Sequence, residues 1–415
     1  MRIAIVGSGI SGLTCGYLLH RQHEITLFES DQRIGGHTHT FPVEYQGQAY
    51  AIDTGFIVFN DWTYPLFQRL LARIGISAQP TEMSFAVSAP ESDFEYNGHN
   101  LDTLFAKRQH LLSPRFYLFV REILRFNREA KLHLSQGRAT QWITLGDYLQ
   151  AHGYSSFFAR HYILPMGAAI WSSSLSGMRD FPLHFFLQFF NNHGLLNIGH
   201  RPQWHVLPGG SSSYIAPLTQ GWRQGIHTGR HIQRIYRHER GVRIEFADHA
   251  AEFDAIILAC HSDQALALLG DASEEERRIL GAIGYRDNQV WLHTDTRLLP
   301  RRPKAWASWN YLLTGDEQQP AAVTYNMNRL QGITAPATFC VTLNRTDLID
   351  EAKVLAKFVY QHPVFDPAAI AAQQQREQIC GQRSTHFCGA YWYNGFHEDG
   401  VRSAVDVCRR LGEDL

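Results

Sequence analysis

The residues with the clearest chemical purpose stand at the start of the chain. Gly7, Gly9 and Gly12 form a G-x-G-x-x-G loop, and Glu29 follows seventeen residues after the last glycine. Such a loop can hold a pyrophosphate. Gly7 permits a tight strand-to-helix turn, Gly9 lets phosphate approach the backbone, and Gly12 lets the helix pack on the strand. The free N–H groups and partial positive charge of a helix N-terminus, with Ser11 in its first turn, then face the phosphates. A carboxylate at Glu29 can accept hydrogen bonds from both hydroxyls of an adenosine ribose. These positions need supporting elements: a strand over Arg2–Val6, a helix opening at the glycines, and a strand over Glu24–Phe28 that delivers Glu29. A glycine-rich turn in an unrelated α/β domain would not explain the acid, so the loop is read as a dinucleotide site.

Two further segments extend the motif. Residues 31–38 read DQRIGGHT, and residues 387–401 read FCGAYWYNGFHEDGV. The Arg-x-Gly-Gly extension resembles the flavin amine-oxidase and phytoene-desaturase superfamily, and the second segment resembles that superfamily's last motif. The resemblance implies FAD. It implies that Gly35 and Gly36 bring backbone to the pyrophosphate, that Arg33 adds charge, and that Thr38 closes the segment. His37 stands where a second Arg is usual, which weakens that phosphate contact or leaves it to backbone. Gly55 and Phe56 fall where a strand end passes the flavin ring. Ile232 falls where backbone faces the adenine. Gly389, Glu398, Gly400 and Val401 fall around the ribityl chain and pyrimidine, with Ala390 in place of the usual acid. A helix N-terminus there would stabilise negative charge on reduced flavin.

The middle of the chain narrows the resemblance. The strings TEMSFAVS (81–88), IWSSSLSGM (170–178), FFNNHGLL (189–196), HRPQWHVLPGGSSSYI (200–215) and LACHSDQALALL (258–269) resemble a bacterial branch of NAD/FAD-binding oxidoreductases. They are also similar to the N-terminal flavin domain of plant cyclopropane-fatty-acid synthases. The resemblance implies a setting in fatty-acyl or phospholipid modification. The partners it suggests are a small-molecule or lipid substrate, a lipid-modifying enzyme, and a membrane touched transiently. The expected location is cytoplasmic, or peripheral to the inner face of the membrane.

Composition sets bounds. The chain has 415 residues, 44% apolar and 19% charged, which suits a sizeable core and two domains. A net charge of −1 gives no footprint for nucleic acid. Six Cys without a C-x-x-C read as reduced, buried thiols. A core strand beginning at residue 2 leaves no room for a signal peptide, and no run of eighteen apolar residues predicts a membrane span. The His227-x-x-x-His231 pair lacks converging ligands, so no metal site is read.

The expected fold is α/β: a doubly wound, Rossmann-type FAD-binding domain interleaved with an α+β substrate domain. Residues 1–85, 201–275 and 381–415 are assigned to the first, and 86–200 and 276–380 to the second. Helices are expected over Leu111–His133, Phe181–Asn191 and Arg402–Leu411. Strands are expected over Ile232–Ile235, Val242–Phe246, Ile256–Ala259, Val290–His293, Ala322–Tyr325 and Thr338–Leu343.

Candidate catalytic groups follow from the resemblance. Many superfamily oxidases carry a Lys near flavin N5, on a strand that here reads Asn288–His293. Asn288 or Gln289 takes that place, and no Lys lies between Lys131 and Lys304, which weakens a plain amine-oxidase reading. Phe396 matches one wall of the family's aromatic cage. His397 or Glu398 could accept a proton in a dehydrogenation that sends hydride to N5; equally, His397, Glu398 and Asp399 could hold the turn and cap the following helix. Trp171 and Trp204, with Phe185, Phe186, Phe189 and Phe190, could line an acyl tunnel or simply form core. Trp309 and Tyr325 could wall the pocket or pair across a sheet. The expectation is an FAD-dependent oxidoreductase that oxidises or desaturates a fatty-acyl or phospholipid chain. The alternatives are a flavin amine oxidase and a non-oxidising FAD-binding partner of a lipid-modifying enzyme.

Overall fold

A computed structural model describes residues 1–138 and 144–415. Strand Arg2–Val6 lies at the centre of a five-stranded parallel sheet in the order Ile226–His227, Glu24–Phe28, Arg2–Val6, Ala255–Leu258, Thr385–Phe387. Arg2–Val6 pairs with Glu24–Phe28 on one side and with Ala255–Leu258 on the other. Strand order therefore reverses at its C-terminal end, the place where open α/β sheets bind ligands. Ala255–Leu258 is buried on both faces and reads AIIL, as a central parallel strand should.

Helix Ile10–Leu19 follows the first strand and is buried on nearly every side, which explains why ISGLTCGYLL lacks a polar face. Helix His397–Arg410 packs against it: Ser11 Oγ donates to Gly400 O at 2.9 Å, and Cys15 Sγ reaches Ala404 O. This last helix begins five residues earlier than Arg402, where it was expected. His397, Glu398 and Asp399 therefore fall inside its first turn, where carboxylates meet free N–H groups. A three-stranded antiparallel sheet, Arg234–His238, Gly241–Glu245 and Ala250–Phe253, completes this part of the molecule.

A seven-stranded mixed sheet faces it, in the order Val354–Pro363, Tyr285–His293, Cys340–Leu343, Val323–Asn326, Trp309–Leu312, Phe85–Ala89, Phe94–Asn97. Its pairs are antiparallel except Trp309–Leu312 with Phe85–Ala89. Helices Pro114–Ser135, Leu164–Trp171 and Leu183–Asn192 pack an aromatic-rich core on this side. The first starts at Pro114 rather than Leu111, because the Ser113 hydroxyl caps it and proline suits the first helical position. Among the described residues no helix is long and apolar enough to cross a membrane.

Candidate active site

One cavity of about 1220 Å³ runs from the C-terminal edge of the parallel sheet to the mixed sheet. At the first end the wall is glycine loop and acid. Gly7, Gly9, Ser11, Glu29, Arg33, Gly35, Gly36 and His37 all lie on it, with Ile232 across from them. No side chain caps the helix at Gly9, so its first N–H groups are left for a ligand. A Cβ at Gly12 would lie 2.0 Å from Gly7 O, so helix and loop meet only because this residue is glycine. Gly36 has φ +57°, and a Cβ there would lie 2.9 Å from Gly9 Cα. These two glycines shape a cradle that side chains would fill.

The Glu29 carboxylate is already engaged by the loop it serves. Its Oε2 accepts from the Ser8 amide at 2.8 Å and the Ser8 hydroxyl at 2.6 Å, and its Oε1 accepts from the Asp31 amide at 2.9 Å. Arg33 folds back on its own turn, donating to Gly36 O at 2.6 Å and Thr38 O at 3.2 Å. It braces the glycine turn while lining the cavity. Thr38 lies behind the wall, 2.6 Å from Tyr214 Oη. Gly400 and Val401 also lie behind it, as does Gly12; these three act as packing for the loop and the last helix.

The middle of the cavity is lined by Gly55, Phe56, Gly389 and three imidazoles that face one another: His37, His261 and His362. Burial, then the neighbouring His362 and His261, hold His37 down to about 3, and burial with His261 holds His362 to about 4. All are neutral rings at physiological pH. His37 Nε2 donates to Gln361 O at 3.1 Å. Sequence reasoning missed Tyr360, Gln361 and His362, which come from the sheet-edge strand Val354–Pro363; nothing local in that strand marks them. On the adjacent strand the cavity meets Asp287 and Val290. Neither Asn288 nor Gln289 takes the place expected of it: Asn288 is buried in contact with Tyr360 O and Asn344, and Gln289 points to solvent. No lysine lies on the cavity wall among the described residues.

At the far end Trp171, Trp309, Tyr325 and Phe396 line the wall, with Phe189 and Trp204. Phe396 stacks on Phe189 with centroids 5.0 Å apart. Phe186 and Phe190 instead stack on each other at 4.1 Å in the core, and Phe185 packs on Phe365. Asn310, beside Trp309, spends its side chain on Ala307 and Thr324, so this amide is structural.

The two catalytic candidates require correction. Glu398 is not on the cavity wall. Its two oxygens accept the amides of Leu66 and Phe67 at 3.0 and 2.8 Å, capping helix Pro65–Arg73. His397 does reach the wall, but it stacks on Phe56 at 3.7 Å and its Nε2 is 2.9 Å from Tyr214 Oη. Burial, with His37 nearby, holds it to about 3, so the ring rests neutral and is a weak proton acceptor. The acid that caps the last helix itself is Asp399, whose Oδ2 accepts from Phe396 N at 2.9 Å.

Whether FAD suits these residues can be tested on the wall itself. The buried atoms His261 Nδ1 and Tyr391 Oη have no partner within the protein, and both residues line the cavity. Unpartnered buried polar atoms are costly unless a ligand completes them. With the uncapped helix, the glycine cradle and Glu29, they fit a long dinucleotide with a ring system in the middle of the cavity.

Fold and site together define a dinucleotide-binding α/β protein whose cofactor groove opens into an apolar pocket. The chain belongs to the flavin-containing amine oxidoreductases, whose family model matches residues 10–329; it is an FAD-dependent oxidoreductase. No curated protein sequence matches it. Among solved structures it is similar to a CLA-producing fatty acid isomerase from P. acnes, at 17% identity over 99% of this chain and 98% of the other, with TM-score 0.69. It is similar to cyclohexylamine oxidase from Brevibacterium oxydans at 13% identity, 99% of both chains and TM-score 0.70. It is also similar to putrescine oxidase bound to putrescine, at 13% identity, 99% and 100% coverage and TM-score 0.68. At these identities the likeness is one of fold.

Proposed function

We propose that the protein oxidises or desaturates a fatty-acyl chain held in the apolar half of the cavity. The observation that carries this reading is the wall itself. Met83, Phe85, Ile170, Leu195, Val290 and Leu343 surround that half; of the lining carboxylates, Glu29 and Asp31 belong to the glycine loop, and Asp287 accepts from Gln361 beside His37 in the middle of the cavity. An alkyl chain gains about 0.8 kcal/mol for each methylene buried there. An ammonium ion would surrender its hydration with no anion to replace it. Bound FAD supplies the hydride acceptor. The protein's own part is to exclude water with Phe189 and Phe396, and to offer the unpaired N–H groups of Trp171 and Trp309 to whatever polar atom enters.

A second reading, a redox-neutral shift of a double bond, is favoured by a separate observation. The buried histidines that reach the wall are weak proton acceptors, held by burial at about 4 for His193 and about 3 for His397. Desaturation must dispose of a proton; a double-bond shift need not. The similarity to a structure described as a fatty acid isomerase is compatible with it.

Anaerobic visible spectra of the purified holoprotein test both. Titration with unsaturated fatty acids and phospholipids is expected to bleach the flavin band. A conjugated product without lasting bleaching selects the double-bond shift. Bleaching by an amine panel and never by lipid overturns the acyl reading.

A further inference from the structure

The helix Pro114–Ser135 buries Phe116, Phe119, Phe126 and Ala130 on its inner face. Its outer face is not the polar surface that a helix of this kind normally shows to water. Tyr117 is 50% exposed, Leu118 55%, Leu124 45% and Leu132 49%, and Leu112, just before the helix, is 89% exposed. Single exposed leucines are ordinary, but a run of them along one face marks an interaction surface. Arg121, Arg128 and Lys131 are exposed at helical spacing among them. Among the described residues neither Arg121 nor Arg128 forms an ion pair. The two carboxylates of the helix are occupied elsewhere. Glu122 accepts from the Ser155 amide and hydroxyl, and Glu129 accepts from Arg125 and Tyr154. The face is thus aliphatic and cationic without an acid.

This face reaches the mouth of the substrate half of the cavity. Lys131 Nζ donates to Asn197 Oδ1 at 2.5 Å, and Arg201 Nε donates to Asn197 O at 2.9 Å. Arg201 lines the cavity and is exposed, and Ile198 beside it is 72% exposed. Another exposed lining residue, His99, lies two positions before Leu101, which is 75% exposed.

We propose that this face docks the protein on an anionic lipid bilayer, with the cavity mouth against the acyl region. The proposal rests on the acyl reading of the cavity. Leucine tips alternating with long cationic side chains match the interface of a bilayer, where apolar groups enter the acyl boundary while guanidinium and ammonium groups stay at the phosphates. A second copy of the chain is a poor occupant, since a two-fold contact would set this cationic face against itself.

The test is co-sedimentation of the holoprotein with vesicles of phosphatidylcholine alone and of phosphatidylcholine mixed with phosphatidylglycerol. Retention is expected on the anionic vesicles, much less on the neutral ones, with loss at high salt. Each cation near an anionic surface contributes about fivefold, so Arg121→Gln with Arg128→Gln is expected to weaken binding about 25-fold. Leu112→Glu with Leu118→Glu is expected to abolish it. An unchanged flavin spectrum in both double variants shows that they fold. The proposal is overturned if anionic vesicles do not retain the holoprotein, or if the variants bind as well as the parent chain. It is also overturned if sedimentation velocity finds a dimer that both variants dissociate. Reduction by detergent-dispersed lipid without vesicle binding defeats the docking face alone; vesicle binding without reduction by any lipid defeats the acyl reading alone.

Discussion

At the Glu29 end the cavity is shaped by glycines, while at the Trp171 end it is lined by large apolar side chains. The first end is made by glycines whose missing Cβ atoms let a loop, a turn and a helix approach one another, as at Gly12 against Gly7 O and Gly36 against Gly9. The second is made by residues from distant elements: Met83, Ile170, Val290 and Phe396 meet only because two sheets and several helices converge. The comparison teaches that cofactor and substrate are selected by different physics. Backbone geometry tolerates one residue type at a position and leaves a motif. An apolar wall tolerates any side chain of suitable volume and leaves none.

The largest effect should come from breaking the glycine end. Gly12→Val would place its Cβ within 2.0 Å of Gly7 O, a clash with main chain that no rotamer relieves. The expected outcome is protein without bound flavin, read from the ratio of flavin to protein absorbance. Yellow protein at normal occupancy would contradict the role given to that glycine.

Glu29→Ala comes next. It removes the carboxylate that holds Ser8 and Asp31, as well as any bond to the cofactor. Hydrogen bonds to a charged group contribute roughly 1.5–3 kcal/mol each. The FAD dissociation constant of the apoprotein should therefore rise at least tenfold, with the substrate end unaltered; equilibrium dialysis measures it.

Ile170→Trp attacks the opposite end. Overfilling a packed apolar site costs about 1–3 kcal/mol, so lipid titrations should need about tenfold more substrate to bleach the flavin, while FAD content stays normal. A loss of FAD instead would mean that the two ends are not separable.

Glu398→Gln sharpens the assignment of a cap against that of a base. Weakening the two bonds to Leu66 and Phe67 should cost about 1 kcal/mol of stability and leave the rate of flavin reduction within a few-fold of the parent chain. A large loss of rate at unchanged thermal midpoint would return Glu398 to the chemistry.

The smallest effect is one of pH. Burial raises the Asp399 carboxyl from 3.8 to about 7, so the fold favours its protonated form. Its stabilising contribution is complete below pH 3.8 and is lost as pH climbs to about 7. Asp399→Asn should therefore raise the thermal midpoint by a degree or two relative to the parent chain above pH 7, and by nothing in acid. An equal difference at every pH would show that the carboxyl titrates normally.

The sequence by itself determined the central strands, the glycine loop and the acid that follows it; that the dinucleotide is FAD came from the family resemblance of residues 31–38 and 387–401. Strands, loop and acid each depend on a few neighbouring residues and on backbone limits, and Arg2–Val6, Glu24–Phe28 and the loop between them lie where the pattern places them. Tertiary structure alone decided the rest. Glu398 lies next to a candidate base in sequence, yet it is the cap of a helix more than three hundred residues away. Asn288 lies on the expected strand and shares a face with Val290, yet its side chain is held by Arg286 O, Tyr360 O and Asn344, and it is Val290 that reaches the cavity wall. The imidazole at His37 gains its neighbours His261 and His362 from the cap of helix Ser262–Leu268 and from strand Val354–Pro363. Which way a side chain faces, and which distant groups share its burial, is fixed when the two sheets pack together, and no local spacing records it.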